Sequence, residues 1–199
     1  MPRDYSEDFA RSVREMAKFG KIPVFGEFND EMRGLVVECI SIASKTLLTQ
    51  SKEWCTLIID TSGGNVNVLN TIRTAMHESG LKFRGVVSSQ AFNCGFMLLQ
   101  YCNWRSAMVN TSLQFNYGKA FITNENFVAI MEKREAEVLN YHKIRFEQWI
   151  LEVSERSGRN REEIHDFARL ERLFLAQEAL NLGLIDEVIS VLPKSEKPV

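Results

Sequence analysis

The run Cys55–Asp60 (CTLIID), followed by Thr61-Ser62-Gly63-Gly64-Asn65, constrains this chain more than any other stretch. Its apolar residues do not alternate with polar ones, which suits a strand covered on both faces, as in a parallel sheet. Two successive glycines then let the backbone turn sharply and bring amide groups close to a bound group, or make a tight strand-to-helix turn that holds no ligand. Beyond them, Val66–Ser79 places Val68, Leu69, Ile72, Ala75 and Met76 at helical spacing and stops at Gly80. The alternation continues with a strand at Phe83–Ser88, a helix at Ala91–Tyr101 and strands at Arg105–Val109 and Ser112–Asn116. Ahead of the run lie a helix at Glu7–Lys18 (an N-terminal helical region of about 7–19) and a short strand at Ile22–Phe25. Asn29 or Asp30 caps the helix that follows, which turns Leu35, Val36, Cys39, Ile40 and Ala43 inward. Strands alternating with helices predict an α/β domain with right-handed crossovers.

Asn124–Ser157 departs from this pattern. It contains no glycine or proline, mixes Glu, Lys and Arg, and repeats apolar residues from Phe127 and Ile130 to Trp149, Ile150 and Val153. The spacing predicts a long helix over about 124–157, or two nearly continuous ones. A helix of 30 residues spans about 45 Å, more than so small a domain needs for its own core, so its apolar stripe is expected to meet a neighbouring subunit. Gly158 ends it. A helix at Arg161–Leu170, another at Ala176–Leu182, a strand at Leu184–Val188 and a tail over about 191–199 complete one domain spanning 1–199.

Composition excludes several classes of function. A formal net charge of −2 offers no concentrated basic face for nucleic acid. No apolar run approaches the ~20 residues of a membrane span, and the charged start MPRDYSEDFARSVREM is no secretory signal. A cytoplasmic protein is the expectation. Cys39, Cys55, Cys94 and Cys102 lack paired ligand spacing, and His77, His142 and His165 are far apart, so neither a metal site nor a disulfide is expected. No cofactor signature is present.

Four stretches, taken in order, carry a family likeness. They are Lys21-Ile22-Pro23-Val24-Phe25-Gly26-Glu27-Phe28-Asn29-Asp30, Asp60-Thr61-Ser62-Gly63-Gly64, Gln90-Ala91-Phe92-Asn93-Cys94-Gly95, and Ala176-Gln177-Glu178-Ala179 through Gly183-Leu184-Ile185-Asp186. Together they resemble the proteolytic subunit of the Clp protease. That resemblance implies the spiral of repeated β-β-α units shared with the crotonase-like superfamily, with a protruding handle helix. It also implies a ring-forming, self-associating chain of the kind found in stacked heptamers, which works with active paralogues or an AAA+ unfoldase. Gly63, Gly64 and the backbone of Cys94 would line the oxyanion side of an inherited substrate cleft.

The same resemblance places the family's nucleophile at Asn93, its base histidine at Asn116 and its aspartate at Glu171. A carboxamide has no ionisable proton near neutral pH and forms no acyl-enzyme. Glutamate can orient a histidine, but no histidine is there. Asn93 and Asn116 are expected to satisfy one another as a closed amide pair. The expectation is a non-catalytic, self-associating or scaffold subunit of Clp-type complexes. The alternative is an active serine-type endopeptidase with its nucleophile relocated to Cys94, and a minor one is acyl-CoA binding of the crotonase kind. The link 118–123 and the region before the first strand look shorter than the family's, so stacked heptamers and unfoldase docking do not follow automatically.

Overall fold

Asparagine side chains start three helices in the computed structural model, which describes residues 7–117, 127–128, 131–132 and 137–190. Asn29 accepts from the Met32 amide, Asn65 from Asn67 and Asn160 from Glu163, each satisfying a donor that the first helical turn leaves open. The elements run α1 (Glu7–Lys18), β1 (Lys21–Phe28), α2 (Asp30–Thr49), β2 (Trp54–Gly64), α3 (Val66–Glu78) and β3 (Lys82–Phe92). Then come α4 (Cys94–Gln100), β4 (Trp104–Met108) and β5 (Ser112–Gln114), followed by α5 (Glu137–Ser157), α6 (Arg161–Arg169), β6 (Leu173–Leu175), α7 (Ala176–Asn181) and β7 (Glu187–Ile189).

The seven-stranded sheet has the order β1-β2-β3-β4-β7, every pair parallel. β3 serves two neighbours. Its first part (Arg84–Val87) pairs with β4, and its last part (Gln90–Phe92) pairs with β5, which in turn carries antiparallel β6. Register shifts between Phe25 and Glu27, and between Ile59 and Thr61, likewise divide the first two strands. Each two-part strand leads into a helix, which is how the expected β-β-α unit is realised here.

The central run is covered less completely than expected. Cys55, Leu57 and Ile59 are fully buried against the helices, whereas Thr56, Ile58 and Asp60 on the other face are only half-buried. Burying a Leu or Ile side chain contributes about 1.5–3 kcal/mol, so the inward face alone anchors the strand. The double glycine is also not a turn after the strand. Gly63 and Gly64 continue β2 and pair with Glu27 and Phe28. A Cβ on Gly64 would come within 2.7 Å of the Phe28 amide nitrogen, so only glycine permits the strands to lie this close.

One core cluster runs from Val13 to Ile185 and draws on nearly every element. Of the long helix expected over about 124–157, α5 covers Glu137–Ser157; residues 124–126, 129–130 and 133–136 of that span lie outside the described residues, as does the tail over 191–199. Trp149, Ile150 and Val153 of α5 enter the core. Phe127, Val128, Met131, Leu139, Tyr141 and Ile144 remain exposed.

Candidate functional site

β3 passes into α4 through a single strained residue. Asn93 holds φ 50° and ψ −112°, far outside the helical and extended basins. Backbone strain of this kind costs of the order of 1–3 kcal/mol in a non-glycine residue. The expected helix over Ala91–Tyr101 therefore starts later, at Cys94, because Ala91 and Phe92 are still paired in β3. Two hydrogen bonds and burial hold the turn. The Asn93 amide donates to the Gln114 carbonyl (3.0 Å), the Asn93 carbonyl accepts from Met97, and every residue of α4 is buried.

β2 lies directly beside this turn. A Cβ on Gly63 would meet Asn93 Cβ at 2.9 Å, and one on Gly95 would meet Thr61 Cγ2 at 2.3 Å. The double glycine thus lets β2 lie against the β3–α4 turn. Gly63 does not present a free amide, because its N–H donates to Thr61 Oγ1 at 3.0 Å.

Asn93 and Asn116 meet, as the sequence suggested, but not as a closed pair. Asn93 Nδ2 donates to Asn116 Oδ1 at 2.5 Å. Asn116 Nδ2 donates onward to Gln114 Oε1 at 3.0 Å, and Gln114 Nε2 donates to the Glu171 carbonyl oxygen at 2.8 Å. The result is a one-way row of amides from the turn to the α6–β6 loop. Glu171 joins it through its main chain alone; its side chain is exposed and its backbone adopts φ 49°. The carboxylate expected to orient a base therefore takes no part in this row.

Cys94 faces away from the amides. Its Sγ donates to the Gly64 carbonyl at 3.3 Å, the residue is fully buried, and burial pushes the thiol up to about 12. A thiol held protonated is a poor nucleophile. Cys39, Cys55 and Cys102 are also free and buried. His77 is exposed at the end of α3, and His165 is exposed on α6 with its ring edge-on to Tyr117 at 5.5 Å. Among the described residues no group of His, Cys, Asp and Glu side chains is arranged to hold a metal ion, and no helix is long and apolar enough to cross a membrane.

A second cluster, on α5, escapes the sequence pattern. Arg145 on α5 lies over the rings of Tyr141, Phe146 and Trp149, at 5.6, 5.2 and 5.7 Å from their centroids. Its Nη2 contacts His142 Nδ1 at 2.7 Å. Desolvation, and then the Arg145 charge, lower the His142 pKa, so the imidazole is kept as a neutral acceptor. Phe146 stands edge-on to Tyr117 at 5.0 Å, and Tyr117 directly follows Asn116. An arginine in a helix rich in Glu and Lys reads as solvated. The signal that marks it is Tyr141-His142 four and three residues before and Trp149 four after, all on one helical face.

A family model described as Clp protease matches residues 5–191. The chain belongs to the Clp protease family. No curated protein matches it. Clp family members assemble into oligomeric rings, and the mixed, mostly parallel sheet with its flanking helices is the Clp-type α/β fold. Within that fold, the residues that resemble the family's nucleophile turn are those of the strained β3–α4 connection, with Asn93 at its apex.

Proposed function

We propose that this Clp-family chain is a non-catalytic, self-associating subunit of Clp-type proteolytic complexes, one that keeps the substrate cleft without the peptide-cutting chemistry. The observation that carries this reading is the 2.5 Å bond from Asn93 Nδ2 to Asn116 Oδ1. At the place where a hydroxyl would pass its proton to an imidazole, one carboxamide donates to another. Neither gains or loses a proton near neutral pH. In a serine-type site, loss of nucleophile or base alone lowers turnover on the order of 10⁶-fold, and the remaining binding and oxyanion groups supply about 10³–10⁴ over water. Here the Gly63 amide is already occupied by Thr61, which argues against even that residue of catalysis. The relocated nucleophile fares no better: Cys94 is buried, bonded to Gly64 and pushed up to about 12.

Association rests on a separate observation. The helical residues Leu139, Tyr141 and Ile144 are exposed along α5, and Phe127, Val128 and Met131 before it are exposed as well. Such a stripe fits a second Clp-type subunit, either another copy or an active paralogue, and an AAA+ unfoldase is the partner the family implies for the finished ring. Three measurements test the proposal. A fluorogenic peptide should be hydrolysed no faster than in buffer, and serine- and cysteine-directed probes should leave the folded chain unlabelled. Light scattering should return a multiple of the 22.9 kDa chain mass. Labelling at Cys94, or turnover abolished by a serine-protease inhibitor, would falsify the non-catalytic reading.

A further inference from the structure

Asn93 is strained in one particular direction. Its φ of 50° and ψ of −112° lie close to the first corner of a type II′ turn, at about +60° and −120°, a position that glycine usually fills. Around the tetrahedral Cα of an L-residue, the side-chain carbon lies about 120° round the Cα–C bond from the residue's own nitrogen. The ψ of Asn93 therefore brings its Cβ nearly into the plane of the following amide, on the same side as the Cys94 nitrogen. The packing agrees with this. One point on β2, where a Cβ of Gly63 would sit, is 2.9 Å from Asn93 Cβ and 3.3 Å from the Cys94 nitrogen.

That eclipsed arrangement is what a cyclic imide requires. A ring joining Asn93 Cγ to the Cys94 nitrogen contains the Cα–C bond, and a nearly flat ring fixes ψ close to the value Asn93 already has. An asparagine in a regular helix or strand would first have to leave its own basin. Here the fold holds the backbone in place, through the bond from the Asn93 amide to the Gln114 carbonyl on one side and buried α4 on the other. Geometry set in advance lowers the barrier to an intramolecular reaction. The Cys94 amide also stands at the first position of α4, where a helix supplies no acceptor for its hydrogen.

We propose that Asn93 is a self-modification site: it loses ammonia by closing a ring onto Cys94, then takes up water, and so gives the chain a chemical record of its age. In the first step the bond from the Cys94 nitrogen to Asn93 Cγ forms and the Cγ–Nδ2 bond breaks. The Cys94 amide gives its proton to solvent, and Nδ2 takes one from solvent and departs as ammonia. In the second step water adds to one of the two ring carbonyls and that carbonyl's bond to nitrogen breaks, leaving an aspartate or its β-linked isomer. Nothing is oxidised or reduced. The bond from Nδ2 to Asn116 Oδ1 is lost with the ammonia, and a carboxylate oxygen then faces an amide oxygen. The amide row must break or turn round at Asn116, and the β-linked product also lengthens the main chain within the turn. The reaction needs no substrate, partner or ring, so it goes beyond the non-catalytic reading and stands or falls apart from it.

The test keeps the full chain at neutral pH in water enriched in heavy oxygen, folded in one sample and unfolded in guanidinium chloride in the other. After transfer to ordinary water, trypsin releases Gly85–Arg105, which contains both Asn93 and Asn103. Fragmentation in a mass spectrometer then shows which of the two has changed. Asn103 is the internal reference, an asparagine whose Oδ1 accepts from the Phe83 amide at 2.8 Å. Asn93 should convert about tenfold faster in the folded chain than in the unfolded one, with heavy oxygen taken up or with the ring caught intact. Asn103 should convert more slowly folded than unfolded. An Asn93 that reacts no faster in the folded chain overturns the proposal, and so does an equal acceleration of Asn103.

Discussion

A methyl group on Gly95 would stand 2.3 Å from Thr61 Cγ2, well inside contact distance. Both partners are buried, α4 on one side and β2 on the other, so neither yields cheaply. Gly95→Ala is expected to lower stability by about 1–3 kcal/mol despite the helix propensity it gains. Thr61→Ser removes the obstructing methyl and keeps the hydroxyl that receives the Gly63 amide. In the double variant most of the loss should return, a coupling that denaturant unfolding of all four proteins measures. At this scale the sequence was informative about identity and poor on direction. The family resemblance brought Asn93 and Asn116 to one place, and they do touch. It did not tell that Glu171 would enter through its carbonyl, because a turn residue at φ 49° sends its side chain away from the strand it supports. Nor did it separate Arg145 from the other cations of its helix, since only its three-dimensional neighbours distinguish it.

Among the elements, α5 divides its apolar stripe between two tasks. Trp149, at 3% exposure, and Val153, at 0%, close the core, while Ile144 is 66% exposed. Trp149→Ala should therefore cost about 3–5 kcal/mol in a thermal or denaturant melt. Ile144→Asp should change stability by less than about 0.5 kcal/mol and yet lower the mass seen by light scattering. An equal mass for Ile144→Asp and the parent would remove the stripe from the interface. The helices were legible in the sequence because their periodicity runs for several turns; α1 and α5 end where the residues predict. β6 was not. Only Phe174 of its three residues points inward, with Leu173 and Leu175 exposed on either side, and so short an alternation carries no periodic signal. The strands β2 and β3 are longer than expected for a related reason: Gly63, Gly64, Ala91 and Phe92 are poor strand markers alone and are held extended by their pairing.

For the molecule as a whole, the Gly183-Leu184-Ile185-Asp186 ending is a clasp. Asp186 accepts from the Arg105 main-chain amide (2.8 Å), from Nε (3.1 Å) and from Nη2 (2.6 Å), while Arg105 Nη1 donates to Gln100. The Arg105 side chain is only 4% exposed. Asp186→Ala leaves that cation buried and unmatched, at an expected cost of about 3–5 kcal/mol in unfolding free energy. Burial alone would raise the Asp186 carboxyl, but the Arg105 hydrogen bonds and charge outweigh it and hold it below the usual carboxylate range. Its share of stability is thus present above the unfolded value, about pH 4, and is lost as the pH falls through the folded one. Chemical denaturation between pH 7 and pH 3 should show that loss in the parent and a shallower one in Asp186→Ala.

The clasp also orders events in time. Arg105 and its acceptor are separated by 81 residues, and at 5–20 residues per second a ribosome needs about 4–16 s to cover that distance. Through this interval β4 has no β7 beside it and a guanidinium without its carboxylate, so water must remain around that edge of the sheet. Assembly of the chain is consequently decided late, by Asp186, and nascent chains halted short of it should be the ones a protease finds open.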